Sequence, residues 1–495
     1  MPEAHAVSLD TAVQPFVVAI DIGSSSTRCC VYDAYARPIK KRTVRAEHVF
    51  IEAADGTAEI DADQVTQEVA SVLTAAIAGM DPGAIAGVAM DTFASSLVCV
   101  DAGGNALTPC YTYADGRSAA HLATLRGQLD EAEVHQRTGT RLHTSYHPSR
   151  MLWLRDTAPD LMAKTAKFLS LGEYVYAKLA GISGCATSTM AWAGILNRHT
   201  MKLDADLLAA VGVDADQFAA LIDPDQPITD VSPEVASNWP ALAGAAWFPA
   251  IPDGYASNNG VGAVGPTTAA LSAATSGAIR VIVDGTPASL PSGLWAYPVS
   301  HSQSIVGGAL NDVGRAMIWL TTTLAPLEPG EIQEMLIAPA RPNTPLVLPF
   351  LTGERATGWA GGARATITGV SSSTSALDIW RGVAEGVAIS YARVFEQLKV
   401  VDPALERVIA SGGVTSNFPG LMQVVAHAIG FPVQVVNIKR VTMRGTAALA
   451  LSVLEPNRGA APIPQTDLTV PSPTERPYYD DLLSRFTQLY EALIG

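Results

Sequence analysis

A run of apolar, largely β-branched residues, Phe16-Val-Val-Ala-Ile20, ends in Asp21 and breaks into Gly23-Ser-Ser-Ser-Thr27. Such a run reads as a buried strand, and a second one, Arg28 to Tyr32, leads away from the turn. The start of the chain is thereby committed to a hairpin whose tip carries backbone N–H groups and short hydroxyls. A concave donor surface of this kind suits phosphate oxygens. An aspartate beside it can hold Mg²⁺, directly or through water. Asp21, as a metal holder, and Ser24, Ser25 and Ser26, as phosphate donors, are the first candidates for a nucleotide triphosphate grip made from a hairpin. A surface hairpin with a polar turn is the other reading of this segment.

Length and charge narrow the class. A chain of 495 residues suggests roughly two to four domains. An apolar fraction of 48% against 16% charged residues describes a packed globular protein. The net charge of −15 argues against nucleic acid or an anionic membrane surface as partner. Five cysteines without a C-x-x-C pair fit reduced thiols in a cytoplasmic protein. Residues 1–15 show no basic segment followed by an apolar one, so no secretory leader is expected. The uncharged stretches 255–279 and 285–311 are too rich in Gly, Ser, Thr, Asn and Pro to span a membrane. No repeat with a period of about 20–50 residues is visible.

Strand and helix signals alternate along the chain, which predicts an α/β layered fold. Ala84 to Met90 reads as a strand, and Leu97 to Val100 as a second apolar run. Residues 146–182 carry helical periodicity that stops near Gly181, and the Pro-rich segment 223–252 marks the expected domain boundary. Further on, Ser375 with Asp378 opens a helix in capping-box fashion, with Leu377, Trp380, Ala384, Val387, Tyr391, Val394 and Leu398 on one face. Arg407 to Ala410 reads as a strand, Leu421 to Ile429 as a helix stopped by Gly430, and Val433 to Val436 as another strand. A small-residue helix is expected to open near Gly445.

Three more glycine- and hydroxyl-rich turns adjoin strand-like runs: Thr275-Ser-Gly277, Val306-Gly-Gly through Gly314, and Ser411-Gly-Gly-Val-Thr-Ser-Asn417. Glycine at such points lets backbone approach a ligand closely, and together with the first hairpin they form a stronger signal than any one alone. Asp253 lies in the uncharged neighbourhood Ile251-Pro-Asp-Gly-Tyr-Ala-Ser-Asn-Asn-Gly260. A lone carboxylate there reads either as a catalytic base, since burial without a use is costly, or as an Asp-Gly turn. Asp115 and Arg117 could offer an acceptor and a forked donor to adjacent sugar hydroxyls, or form a local salt bridge. Gly260-Val-Gly-Ala-Val-Gly265 matches a dinucleotide-binding fingerprint, but no strand precedes it and Pro266 follows at once, which disfavours an oxidoreductase. No G-x-x-x-x-G-K-[ST] occurs.

Taken in order from Phe16 to Leu451, these segments resemble the FGGY family of carbohydrate kinases within the actin-like ATPase superfamily, and most nearly its gluconokinase-like members. Tyr113-Ala-Asp-Gly-Arg-Ser118 resembles W-A-D-N-R-S, and Arg137-Thr-Gly-Thr-Arg-Leu-His143 resembles R-T-G-T-P-I-H. Leu348-Pro-Phe-Leu-Thr-Gly-Glu-Arg355 resembles L-P-Y-L-A-G-E-R, and Thr275-Ser-Gly-Ala-Ile-Arg280 resembles T-S-G-A-I-R. The resemblance implies an α/β fold of two actin-like (ribonuclease H-like) domains, each a mixed sheet flanked by helices, with an interdomain cleft. The expected domains are 1–250, with the sugar site and first phosphate hairpin, and 251–495, with the ATP site and catalytic aspartate.

It further implies Asp253 as general base and sugar contact, Asp21 as Mg²⁺ holder, Ser24, Ser25, Ser26 and Thr275 as phosphate contacts, and Gly314, Gly412, Gly413 and Asn417 as nucleotide contacts. Ser95, Asp115 and Arg117 fall where the sugar is expected. The implied activity is transfer of the γ-phosphoryl group of Mg–ATP to a hydroxyl of a small sugar, sugar acid or polyol, gluconate foremost. A pentulose such as xylulose or ribulose, or a non-catalytic or ATPase-only member, is the alternative. The partner is then a small molecule, with no nucleic acid and no membrane, and a homodimer stays open. Ala94-Ser95 stands where many relatives have Met-His, and Tyr113 where they have Trp, so the sugar is the less determined part. Arg444 occupies a position that is usually small.

Overall fold

The computed structural model describes residues 6–324 and 326–494. Contacts divide the chain into two compact units, neither continuous in sequence. One comprises Met1–Gly262, Ala296–Ser304 and Lys439–Pro462; the other comprises Ala263–Trp295, Ile305–Ile438 and Ile463–Gly495. The expected boundary at 250/251 is therefore displaced, and Asp253 belongs to the first unit. The Pro-rich segment is not a linker. Its short strands Ala246–Trp247 and Ile251–Pro252 thread into the first sheet, with the prolines at strand ends and turns where no ladder N–H is lost.

In the first unit β1 (Phe16–Ile22) is buried along its whole length because it is paired on both edges and covered on both faces. It runs antiparallel to β2 (Ser26–Tyr32), which pairs with β3 (Pro38–Glu47). Helix α1 (Ala62–Ile77) packs Val65, Val69, Val72, Leu73 and Ala76 into the core on one face. Its first N–H groups, of Asp63 and Gln64, are accepted by the Asp61 carboxylate. On the other edge of β1 lies β4 (Ile85–Thr92), parallel, and β5 (Ala246–Trp247) and β6 (Ile251–Pro252) both pair with β4. The helical periodicity of 146–182 resolves into α2 (His147–Thr157), a short helix, a strand and α3 (Leu171–Ala180), which ends at Gly181 in the left-handed conformation. Helix α4 (Asp253–Gly260) follows β6 directly, so the dinucleotide fingerprint begins at the end of a helix and lacks its strand.

The second unit repeats the plan. β7 (Thr268–Ala273) and β8 (Gly277–Asp284) form an antiparallel hairpin. Beyond β8 come β9 (Trp295–Pro298) and β10 (Gln303–Leu310), giving the order β9-β10-β8-β7 on that side. Gly307 and Gly308 therefore lie within a strand and not in a turn. A side chain at Gly307 would press on the Ile279 carbonyl, and one at Gly308 on Val394 and Ala356, so these glycines serve packing. Helix α5 (Gly314–Thr323) follows, and α6 (Ala376–Val401) begins with the predicted Ser375–Asp378 capping box. On the other edge of β7 stand β11 (Arg407–Ser411), parallel, then β12 (Val433–Val436) after α7 (Gly420–Ile429).

Helix α8 (Val441–Leu454) returns the chain to the first unit, and β13 (Gln465–Thr469) closes the second sheet against β12 before α9 (Arg476–Leu493). Both sheets are mixed. Helix α8 starts earlier than the sequence suggested, because Gly445 is a crossing point and not a helix start. A methyl there would collide with the Ala256 carbonyl of α4, and one at Gly260 with the Val441 carbonyl. Arg444 closes the same contact by donating to the Gly260 and Ala461 carbonyls at 2.8 and 2.7 Å, which accounts for its size at that position. Among the described residues no helix is long and apolar enough to cross a membrane, and all five cysteines are buried free thiols.

Candidate active site

Three carboxylates stand at the ends of adjacent strands in the first unit. Asp21 on β1 is in register with Asp91 on β4, Asp91 is in register with Ile251 on β6, and Asp253 opens α4 two residues later. Asp21 is buried and paired with Arg28 of β2 at 3.2 Å. Burial pushes its carboxyl up to about 6, with Arg28 pulling it down and the Asp253 charge pushing it further up. Asp91 is buried completely. Desolvation, and then the Asp21 charge, raise its pKa well above the carboxylate range. The Thr446 hydroxyl donates to its Oδ2 at 2.6 Å, and its Oδ1 has no partner.

Asp253 differs from what its uncharged neighbourhood suggested. It is exposed, while Gly254, Tyr255 and Ala256 behind it are buried. Its Oδ1 accepts from the Gly254 N–H at 2.7 Å. No cost of burying a charge applies there. Among the described residues no three His, Cys, Asp or Glu side chains are arranged to hold a metal ion by themselves. Asp21 with one neighbouring acid suits instead a cation bound mostly by phosphate oxygens and water, the usual state of Mg²⁺.

The turn between β1 and β2 is closed by the Gly23 N–H donating to the Ser26 carbonyl at 3.0 Å. Ser24 and Ser25 are exposed at its tip. Ser26, expected with them, is the first residue of β2 and fully buried, its Oγ without a partner. Two groups behind the turn brace it: His48, just after β3, and Glu68 on α1. Neither drew notice in the sequence.

The residues expected around a sugar divide. Ser95 takes a left-handed φ of 58°, donates its hydroxyl to the Trp192 carbonyl at 2.6 Å and offers its own carbonyl to the buried Arg150 at 2.5 Å. Its side chain therefore fixes a bend. Next to it His147 Nε2 donates to the Ser96 carbonyl, and burial pushes that imidazole down to about 3, so it stays neutral. Asp115 is buried, and both its oxygens are taken by Arg117 and by the Ala58 N–H. Arg117 also pairs with Glu59 at 2.6 Å and lies over Tyr111 and Trp153. This local ion pair braces the loop and leaves no oxygen of Asp115 for a hydroxyl. Tyr113, part of an edge-to-face cluster with Phe50 and Phe93, is exposed.

In the second unit the expected nucleotide residues do converge. Thr275 is exposed in the β7–β8 turn, and the first turn of α5 abuts it. Gly314 N–H donates to the Ala274 carbonyl at 2.8 Å and Arg315 N–H to that of Thr275 at 3.0 Å. A methyl on Gly314 would lie 2.5 Å from the Ala274 oxygen and 2.8 Å from Val414, which sits in the short helix Gly413–Asn417. Gly412 needs its φ of +115° to pass the Ala273 carbonyl, Gly413 faces open space, and Asn417 is exposed. Thr275, Gly314, Gly412, Gly413 and Asn417 thus border one patch of backbone. Glu354 of the Glu-Arg segment does not present itself; it is buried and accepts from Arg393, Tyr490 and the Thr357 N–H.

Asp91 is the residue the sequence reading passed over. Its signal was there, since an apolar run, Ala84 to Met90, delivers it just as Phe16 to Ile20 delivers Asp21.

Comparison with known proteins identifies a family. Residues 16–255 match the N-terminal domain of the FGGY family of carbohydrate kinases and residues 269–454 its C-terminal domain. A gluconokinase of Bacillus subtilis (strain 168) is 26% identical over 418 residues, covering 80% of each chain. A xylulose kinase of the same organism is 21% identical over 407 residues, covering 81% of each. Among solved structures, a gluconate kinase from Lactobacillus acidophilus superposes with a TM-score of 0.89 at 23% identity, covering 97% of this chain and 98% of its own.

Proposed function

Because the chain belongs to the FGGY family of carbohydrate kinases, we propose that it transfers the γ-phosphoryl group of Mg–ATP to a hydroxyl of a small sugar acid, with gluconate as the first candidate. The observation that carries this reading is the set of three strand-end carboxylates, of which Asp253 alone is exposed. An exposed carboxylate at a helix start can accept the proton of an attacking hydroxyl. Asp21 would hold Mg²⁺, which when bound neutralises phosphate charge. Ser24, Ser25 and the backbone of their turn, with Thr275, would meet phosphate oxygens. Gly314, Gly412, Gly413 and Asn417 would border the nucleoside. Phosphoryl transfer asks for alignment and charge neutralisation more than covalent help from the protein, and these groups supply both.

The sugar acid is favoured because gluconokinases stand among the relatives, and a pentulose is the alternative since xylulose kinases do as well. ADP release measured across gluconate, shorter aldonic acids, xylulose, ribulose and glycerol decides between them. The proposal expects gluconate or a shorter acid to have the highest kcat/KM. A preference for a ketose transfers the chain to the alternative, and ATP hydrolysis indifferent to every sugar removes the kinase reading.

A further inference from the structure

We propose that His48, which lies behind the Gly23–Thr27 turn, is a positioning residue for phosphate binding and acts as a doubly protonated imidazolium clamped between Gly23 and Glu68. The inference rests on the reading above that this turn contacts ATP phosphates. Both ring nitrogens face acceptors at the same distance: Nε2 is 2.8 Å from the Gly23 carbonyl oxygen, and Nδ1 is 2.8 Å from Glu68 Oε2. A peptide carbonyl can only accept, so Nε2 carries a proton. Glu68 has no proton to spare for Nδ1 in the observed pattern, since the Thr27 hydroxyl donates to Oε2 at 2.9 Å and the Gln64 amide to Oε1 at 2.9 Å. Nδ1 must then donate as well. A neutral ring would set a lone pair against a carboxylate in a site where the histidine side chain is wholly buried.

The clamp bears on phosphate binding through the peptide plane. In a trans peptide the carbonyl and the following N–H point in opposite directions. Holding the Gly23 oxygen inward on His48 aims the Ser24 N–H outward from the turn. The His48 backbone N–H does the same for the next link but one, donating to the Ser25 carbonyl at 3.3 Å and so turning the Ser26 N–H. Ser26 is buried, so the donor that a phosphate would meet is the N–H of exposed Ser24, and His48 sets it.

Helix α1 brings Glu68 to the ring, while the β1–β2 hairpin carries the Asp21–Arg28 pair and β3 carries Arg45 and Glu47, themselves 3.5 Å apart. Glu68 is the one that bonds the imidazole. An amide in its place can give one N–H to Nδ1 and the other to Thr27 while its oxygen still accepts from Gln64. A neutral histidine then suffices.

The test uses the full-length chain. With ¹⁵N-histidine, the His48 nitrogens should both show the protonated signature at the pH where the KM for Mg–ATP is lowest. His48→Ala should raise that KM about ten-fold, the worth of one charge-assisted hydrogen bond, with the sugar KM and kcat little changed. Glu68→Gln should leave His48 with a single proton. A single tautomer in the wild-type spectrum overturns the clamp. A His48→Ala variant that only melts earlier, with its nucleotide KM unmoved, overturns the positioning role. If the wild type phosphorylates no sugar, the functional reading fails separately, and the nitrogen signals still decide the state of His48.

Discussion

The two hairpins, β1–β2 in the first unit and β7–β8 in the second, share a backbone plan and differ in charge. In each, a strand pairs antiparallel with its successor and parallel with a later strand on its other edge. In the first hairpin Asp21 stands opposite Arg28 and beside Asp91. In the second Ser272 stands opposite Ala278 and beside Ser411. Charged side chains stand at the first turn, whereas backbone and hydroxyls stand at the second. The bracing differs in the same sense. His48 and Glu68 hold the first turn through side chains, whereas backbone N–H groups of Gly314 and Arg315 hold the second. The same strand plan thus carries two different sets of side chains.

That contrast is open to attack at its charged end first. Asp21→Asn should lower kcat/KM about a hundred-fold or more, as loss of a metal-holding carboxylate removes charge stabilisation. Steady-state kinetics with varied Mg²⁺ check it; undiminished activity in the variant would erase the distinction between the hairpins. At the neutral end, Gly314→Ala forces a methyl against the Ala274 carbonyl, so the KM for ATP should rise about ten-fold while the sugar KM holds. Titration calorimetry with ADP reads this directly.

Asp91→Asn should cost no more than about three-fold in kcat, because burial already disfavours the charge and an amide keeps an acceptor for Thr446. A larger loss would mean that Asp91 works ionised. The smallest effect concerns stability. The folded Asp21 carboxyl titrates about 6 against an unfolded value near 4, so its ionised form is disfavoured on folding. Stability should therefore fall by about 1–3 kcal/mol as pH rises across that window, and Asp21→Asn should abolish the fall. Denaturant melts at pH 4.5 and 7 without nucleotide would measure it (conditions of about these values bracket the shift).

Local features were legible in the sequence wherever the signal was local. The first hairpin, the Ser375 capping box, the stop at Gly430 and the Thr275 turn all follow from residues within one turn or strand. What depends on distant pairing was hidden. Asp91 is buried because β6 arrives beside it from far along the chain, and a lone aspartate after an apolar run reads equally as a loop start. The doubled plan has no short period and diverged side chains, so it shows in strand order and not in letters. The Pro-rich stretch misleads because proline marks strand ends as well as linkers. Asp115 and Arg117 read as ligand contacts until Glu59 and Ala58 are seen to use them.

The most direct measurement is turnover and nucleotide binding of Asp253→Ala side by side. Sugar-dependent ADP release should drop by about a thousand-fold, within the range for loss of a general base, while the Kd for Mg–ADP stays within about two-fold of wild type. Undiminished turnover in that variant would contradict the proposed function, because the exposed carboxylate would then have no part in the chemistry.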